Sequence, residues 1–147
     1  MRSVPGSATL TATGCLIATV ACGGERAPDA GTGGQFPAVA ILSPADGDTV
    51  SQPFTLRLSL QGAAAVAATG LREEGRGHHH LLIDTDLQGP DLPIGREPGF
   101  IHIGTGADEW IIDSLAPGPH RIIAVFGYGD HVPTAAVASD TVIVVVR

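Results

Sequence analysis

Lysine is missing from this chain: all eight basic residues among its 147 are arginines, against fifteen carboxylates, for a formal net charge of −7. An acidic chain with scattered arginines offers no basic face on which nucleic acid could lie. Aromatic residues make up only 4%. Trp110 and Tyr128 are therefore a poor stacking platform, which argues against a carbohydrate-binding module. A single methionine is too few for a methionine-rich cuprous carrier. The two cysteines, Cys15 and Cys22, both stand near the N-terminus, so the remainder has no thiol for a disulfide framework or a cysteine metal site. Any metal would have to be held by imidazole, carboxylate or backbone groups. Enzyme signatures are missing too. No nucleophile-elbow pattern supports Ser-His-Asp chemistry, no carboxylate pair stands at glycosidase-like positions, and Gly104-Thr105-Gly106 lacks the following helix that a phosphate loop needs. The chain is expected not to be an enzyme.

The first twenty-one residues read as an export signal. Arg2 gives a short positive region, and the uncharged stretch 8–21 is too short and too weakly apolar for a stable membrane span. Thr19-Val20-Ala21-Cys22 resembles a bacterial lipoprotein cleavage box, which marks Cys22 for lipidation and durable attachment to a membrane. Gly23 after the cysteine, by resemblance to Gram-negative sorting, favours the outer membrane and a cell-envelope location. Residues 22–37 are rich in Gly, Pro and Ala without apolar periodicity, as in a flexible linker. Residues 38–147 are one domain's worth of chain.

Within that domain, apolar runs alternate with turn residues. Phe54, Leu56, Leu58 and Leu60 share one face of a period-two segment, with Thr55, Arg57 and Ser59 on the other. Further strands are expected at 38–42, 78–84, 100–103, 109–114, 120–126 and 140–146. The stretches 61–77, 86–99 and 127–137, rich in Gly, Pro or Ala, read as loops. About seven strands, no convincing helix and regular Pro/Gly turns indicate an all-β, immunoglobulin/fibronectin-like β-sandwich. Trp110 reads as its core aromatic.

All six histidines lie in the C-terminal half, three of them in Gly77-His78-His79-His80-Leu81-Leu82-Ile83-Asp84. On a strand His78 and His80 project to the same side about 7 Å apart, close enough to share an ion, and His79 projects to the other side. His102 and His131 are the candidates for a third ligand, with Asp84 and Asp130 as carboxylates that could steady a ligating ring. Copper or zinc suits such a set better than calcium or magnesium, which prefer oxygen. The competing reading places His79 in the core, bonded to backbone, with the other histidines tying loops together. His120, after Pro117-Gly118-Pro119, reads as a structural hydrogen-bonding residue at a strand corner.

The His-rich block, followed by Ile101-His102-Ile103-Gly104-Thr105-Gly106, Pro117-Gly118-Pro119-His120 and Gly129-Asp130-His131-Val132-Pro133, resembles the bacterial domain-of-unknown-function family 4399. The resemblance covers roughly residues 61–146 and implies an exported β-rich domain, with no settled activity. Relatives usually carry His-x-His before the Gly-x-Gly, where this chain has Phe100-Ile101-His102. They also tend to carry a further His where this chain has Thr134, so any ligand set shared with them is smaller here. The expectation is a lipid-anchored envelope domain that binds copper or zinc through His78, His80 and His102 or His131. The alternative is a structural or interaction module without an ion.

Overall fold

The computed structural model describes residues 37–147. The expected signal segment at 1–21, the lipidation position Cys22 and the linker up to residue 36 lie outside the described residues. No helix occurs among those described. The strands are β1 (Ala38–Ser43), β2 (Thr49–Val50), β3 (Phe54–Gln61), β4 (Ala64–Ala65), β5 (Arg76–Ile83), β6 (Phe100–Ile103), β7 (Glu109–Ile112), β8 (Gly118–Gly127) and β9 (Asp140–Val146). Seven of them occupy the stretches where the apolar pattern predicts strands. The other two, β2 and β4, are two-residue pieces too short to leave a periodicity. In β4, Ala64 and Ala65 pair in parallel with Arg76 and Gly77, so the stretch expected to be a loop folds back along the start of β5.

Two sheets form. One has the order β1-β3-β7; the other runs β2-β9-β8-β5-β4, with β6 also paired to β5. The long neighbours are antiparallel. This is the strand order of an immunoglobulin-like sandwich, in which A-B-E faces G-F-C.

Alternation sets the core between the sheets. Leu56 and Leu58 of β3 meet Leu81 and Ile83 of β5, Ile122 and Ala124 of β8, and Val142 and Val144 of β9 in one buried cluster. The near-continuous Val/Ile run of β9 is one-sided, with Val142, Val144 and Val146 buried while Ile143 and Val145 face outward. Trp110 is not a core aromatic. Standing on β7, an edge strand of the small sheet, it pairs with Leu56 of β3, and at 36% exposed it lies at the open margin. Phe126, 1% exposed, is the large buried aromatic.

A second, smaller apolar cluster lies on the outer face of the large sheet. Leu82 and Val125 are covered there by Ile94, with Phe100 and Ile123 packed alongside. Ile94 belongs to the segment joining β5 to β6, which crosses back over that face. This roof turns an outward-facing strip of β5 into an interior.

Candidate metal centre

The register of β5 decides where its three imidazoles point. Leu81 and Ile83 belong to the core between the sheets and Leu82 to the roofed outer cluster. His79 therefore faces the inner core, while His78 and His80 share the outer face with Leu82. His78 and His80 are 0% and 1% exposed. A histidine strip survives burial here because the rings meet one another instead of hydrocarbon alone.

His102 comes from β6, directly across from His80 in the ladder, and its ring stacks on that of His80 at 5.1 Å and 25°. His131 arrives from the segment after β8, at φ 69°, within a turn in which its N–H donates to the Tyr128 carbonyl. Its own carbonyl accepts the N–H of Ile94 at 2.8 Å, so the roof and the His131 turn hold each other. The four ring centroids lie 4.6–5.6 Å apart. One donor atom from each of His78, His80 and His102 lies within 4.8 Å of the other two. Donors sharing a tetrahedral ion at about 2.0–2.1 Å stand roughly 3.4 Å apart, so the three rings need small adjustments to grip one.

The electrostatics keep these rings neutral. Burial, with repulsion from His102, His131 and His79, lowers the His78 pKa to about 4. Burial lowers His80 further, to about 2, with repulsion from His78, His102, His131 and His79 added. His102 is lowered by burial, then by His131 and the Arg96 guanidinium. A neutral imidazole keeps a lone pair for a metal. The Nε2 atoms of His78 and His80 hydrogen-bond at 3.0 Å, while His78 Nδ1 and His131 Nε2 are buried without a partner.

The other singled-out residues fall elsewhere. Asp84 accepts from His120 Nδ1 at 2.6 Å and from the Arg121 N–H at 2.9 Å, so it holds His120 and none of the four clustered rings. Asp130 pairs with Arg72 at 2.9 Å and accepts the Val132 N–H, which braces the turn carrying His131 through the backbone. His120 is tied between Asp84 and the Ala116 carbonyl, the latter at 2.7 Å, a structural role at the β8 corner. His79 is inward-facing, as one reading expected, but it has no backbone partner: neither ring nitrogen is hydrogen-bonded, and the ring packs against Phe126 at 5.5 Å.

Three residues that shape the centre carried no donor to draw attention. Gly127 lies under the His80 ring, where a Cβ would stand 3.2 Å from Nε2. Gly104 lies against the His102 ring, where a Cβ would stand 2.6 Å from Nε2. Ile94 supplies the roof. A glycine at the end of a strand (Gly127) and one just after a histidine-bearing strand (Gly104) were the available signal, since a missing side chain makes room for a ring.

Comparison with known proteins gives a family and little more. No curated protein matches the chain. Among solved structures, an engineered protein is 16% identical at a TM-score of 0.41, covering 76% of this chain and 20% of its own. The fibronectin(III)-like modules of Clostridium thermocellum CbhA are 16% identical at a TM-score of 0.40, covering 76% of this chain and 46% of theirs. The chain thus spans less than half the length of either. The family model of the domain of unknown function DUF4399 matches residues 56–147, which include the four clustered histidines, Gly104, Gly127 and Ile94, and the chain belongs to that family.

Proposed function

We propose that this domain binds a transition metal ion, copper or zinc, through His78, His80 and His102, with His131 closing the shell, and that it holds or passes on the ion instead of catalysing a reaction. The observation that carries the reading is the convergence of four imidazoles from three separate segments, two of them fully buried. Enclosing His78 Nδ1 and His131 Nε2 without a partner is unfavourable unless something takes up their lone pairs. An all-nitrogen set suits copper or zinc. We further propose that the domain is exported and anchored by lipid at Cys22, facing the cell envelope. Elemental analysis of the purified mature domain, followed by calorimetric titration with Cu(II) and Zn(II), tests the metal reading. Binding at micromolar or tighter affinity near pH 7 supports it, and no uptake of either ion overturns it.

One observation favours a second reading, an ion-free structural or interaction module: the His78–His80 hydrogen bond already links two of the rings. On that reading His78→Ala and His80→Ala weaken the fold equally with and without added metal.

A further inference from the structure

Resting on the metal-binding reading, we infer that His102 is the exchange ligand of the centre: an ion enters and leaves on its side, and an incoming donor displaces its ring while His78 and His80 keep their hold. The four rings are not equivalent. His78 and His80 are fully buried and rooted in β5, which is paired on one side to β8 and on the other to β6 and β4. His131 is half-buried, its Nε2 enclosed, and its carbonyl is bonded to the roof at Ile94. His102 is the exposed member. It sits on β6, a four-residue strand at the sheet margin whose ladder runs to β5 alone.

The chain immediately after β6 leaves the His102 ring without a side-chain wall. The ring lies against Gly104, at the start of the Gly104-Thr105-Gly106 turn, where even one added carbon would collide with it. A ring at an exposed margin, set against the Gly104 backbone and the three other imidazoles, can swing outward without disturbing the packed apolar interior. The step is a plain ligand substitution. One metal–nitrogen bond to His102 breaks, one bond from the incoming donor forms, and no electron is transferred. The acceptor is a nitrogen- or sulfur-donor chelator able to reach the surface at β6, and a site built this way gives up its ion to such a chelator faster than its equilibrium affinity alone suggests.

The test uses the full chain loaded separately with Zn(II) and Cu(II), with transfer to 4-(2-pyridylazo)resorcinol followed by stopped-flow absorbance. The wild-type transfer rate should rise with chelator concentration. His102→Ala, an exposed change expected to leave the circular dichroism unaltered, should still take up the ion but release it about tenfold faster or more, since ligand losses act mainly on dissociation. Gly104→Ala keeps all four imidazoles and displaces only the His102 ring, and should also speed transfer. His131→Ala should affect transfer less than His102→Ala. Transfer by His102→Ala and Gly104→Ala at the wild-type rate overturns the inference while leaving the metal reading intact, as does a larger acceleration in His131→Ala. A wild-type chain that takes up neither ion overturns the metal reading itself, and this inference with it.

Discussion

The Nε2 atoms of His78 and His80 meet at 3.0 Å on the outer face of β5, each ring wholly inside the protein. One of the two must donate for this bond to exist, so the pair holds a proton where an ion would hold both lone pairs. If the domain binds an ion as proposed, the folded state should gain stability from it, because the unfolded chain cannot grip the ion in the same way. At a free concentration one hundred times Kd the gain is about 2.7 kcal/mol, or a Tm rise of roughly 10–20 °C for a domain this size. Scanning calorimetry with and without Zn(II) or Cu(II) checks this. The rise should vanish in His78→Ala and in His80→Ala.

Acid should weaken the ion-free fold through the same two rings. Their folded pKa values, about 4 and about 2, lie below the ordinary 6.5. Above pH 6.5 both folded and unfolded rings are neutral and neither contributes a pH dependence. Below it the unfolded chain takes up protons that the folded chain refuses, so stability falls as pH drops from about 6.5 toward 4. The fall attributable to His78 levels off near 4, while that from His80 continues below it. The loss is on the order of a few kcal/mol. Urea denaturation at pH 7 and pH 5 checks it, with a His78→Leu/His80→Leu variant expected to lose much of the difference.

The opposite dependence holds at the β8 corner. Burial pulls the His120 pKa down, but its bonds to the Ala116 carbonyl and to Asp84 outweigh that, and the result is raised. Burial pushes Asp84 up, but the hydrogen bonds from His120 and the Arg121 N–H outweigh it, and the result is lowered. The His120 contribution is complete below about 6.5 and is lost as pH rises through its folded value. The Asp84 contribution is complete above about 3.8 and is lost as pH falls through its own. Their joint contribution is therefore greatest between those limits. Asp84→Asn keeps a residue type that tolerates φ 56° and removes the charge. NMR titration should show its His120 pKa lower than in the wild type.

Much of this architecture was legible beforehand because β3, β5 and β9 carry an unambiguous period of two, and the turns between strands are marked by Pro and Gly. The pairing of His78 with His80 on one face follows from the same period. What no period could reveal is that this face is roofed. Ile94 lies in a Pro-rich stretch with no strand pattern of its own, and its cover depends on a backbone bond to His131, 37 positions away. The two carboxylates were misleading for a related reason. Asp84 and Asp130 stand beside clustered histidines in sequence, but at a strand end and in a turn neighbouring side chains diverge, and their partners are His120 and Arg72. Trp110 shares the inward face of its strand with Ile112, but periodicity does not tell an edge strand from a central one.

That edge position makes Trp110 nearly dispensable for stability. Removing a buried tryptophan typically costs 3–5 kcal/mol, whereas Trp110, 36% exposed beside exposed Ile111, should cost less than about 2 kcal/mol when replaced by alanine. Chemical denaturation of Trp110→Ala, followed by far-ultraviolet circular dichroism because the only tryptophan is gone, checks the value. The proposed metal centre, on the other sheet, should keep any affinity the wild type shows.

Gly77, by contrast, should be intolerant of the smallest change. It is buried at the start of the histidine run, and a Cβ there would fall on the carbonyl oxygen of Gly127 and within 3.0 Å of the Phe126 ring. The obstacle is backbone, so no side-chain movement relieves it, and β5 must shift away from β8 at the pair His78–Gly127. Gly77→Ala should cost about 1–3 kcal/mol, the usual range for overpacking, and should also weaken metal binding by moving His78. Gly47→Ala is the comparison. Gly47 has φ 83° and nothing within 4 Å of the added carbon, so its cost is conformational, about 1–2 kcal/mol. Similar losses of stability with loss of metal affinity confined to Gly77→Ala would show that the β5–β8 spacing sets the position of the His78 ring.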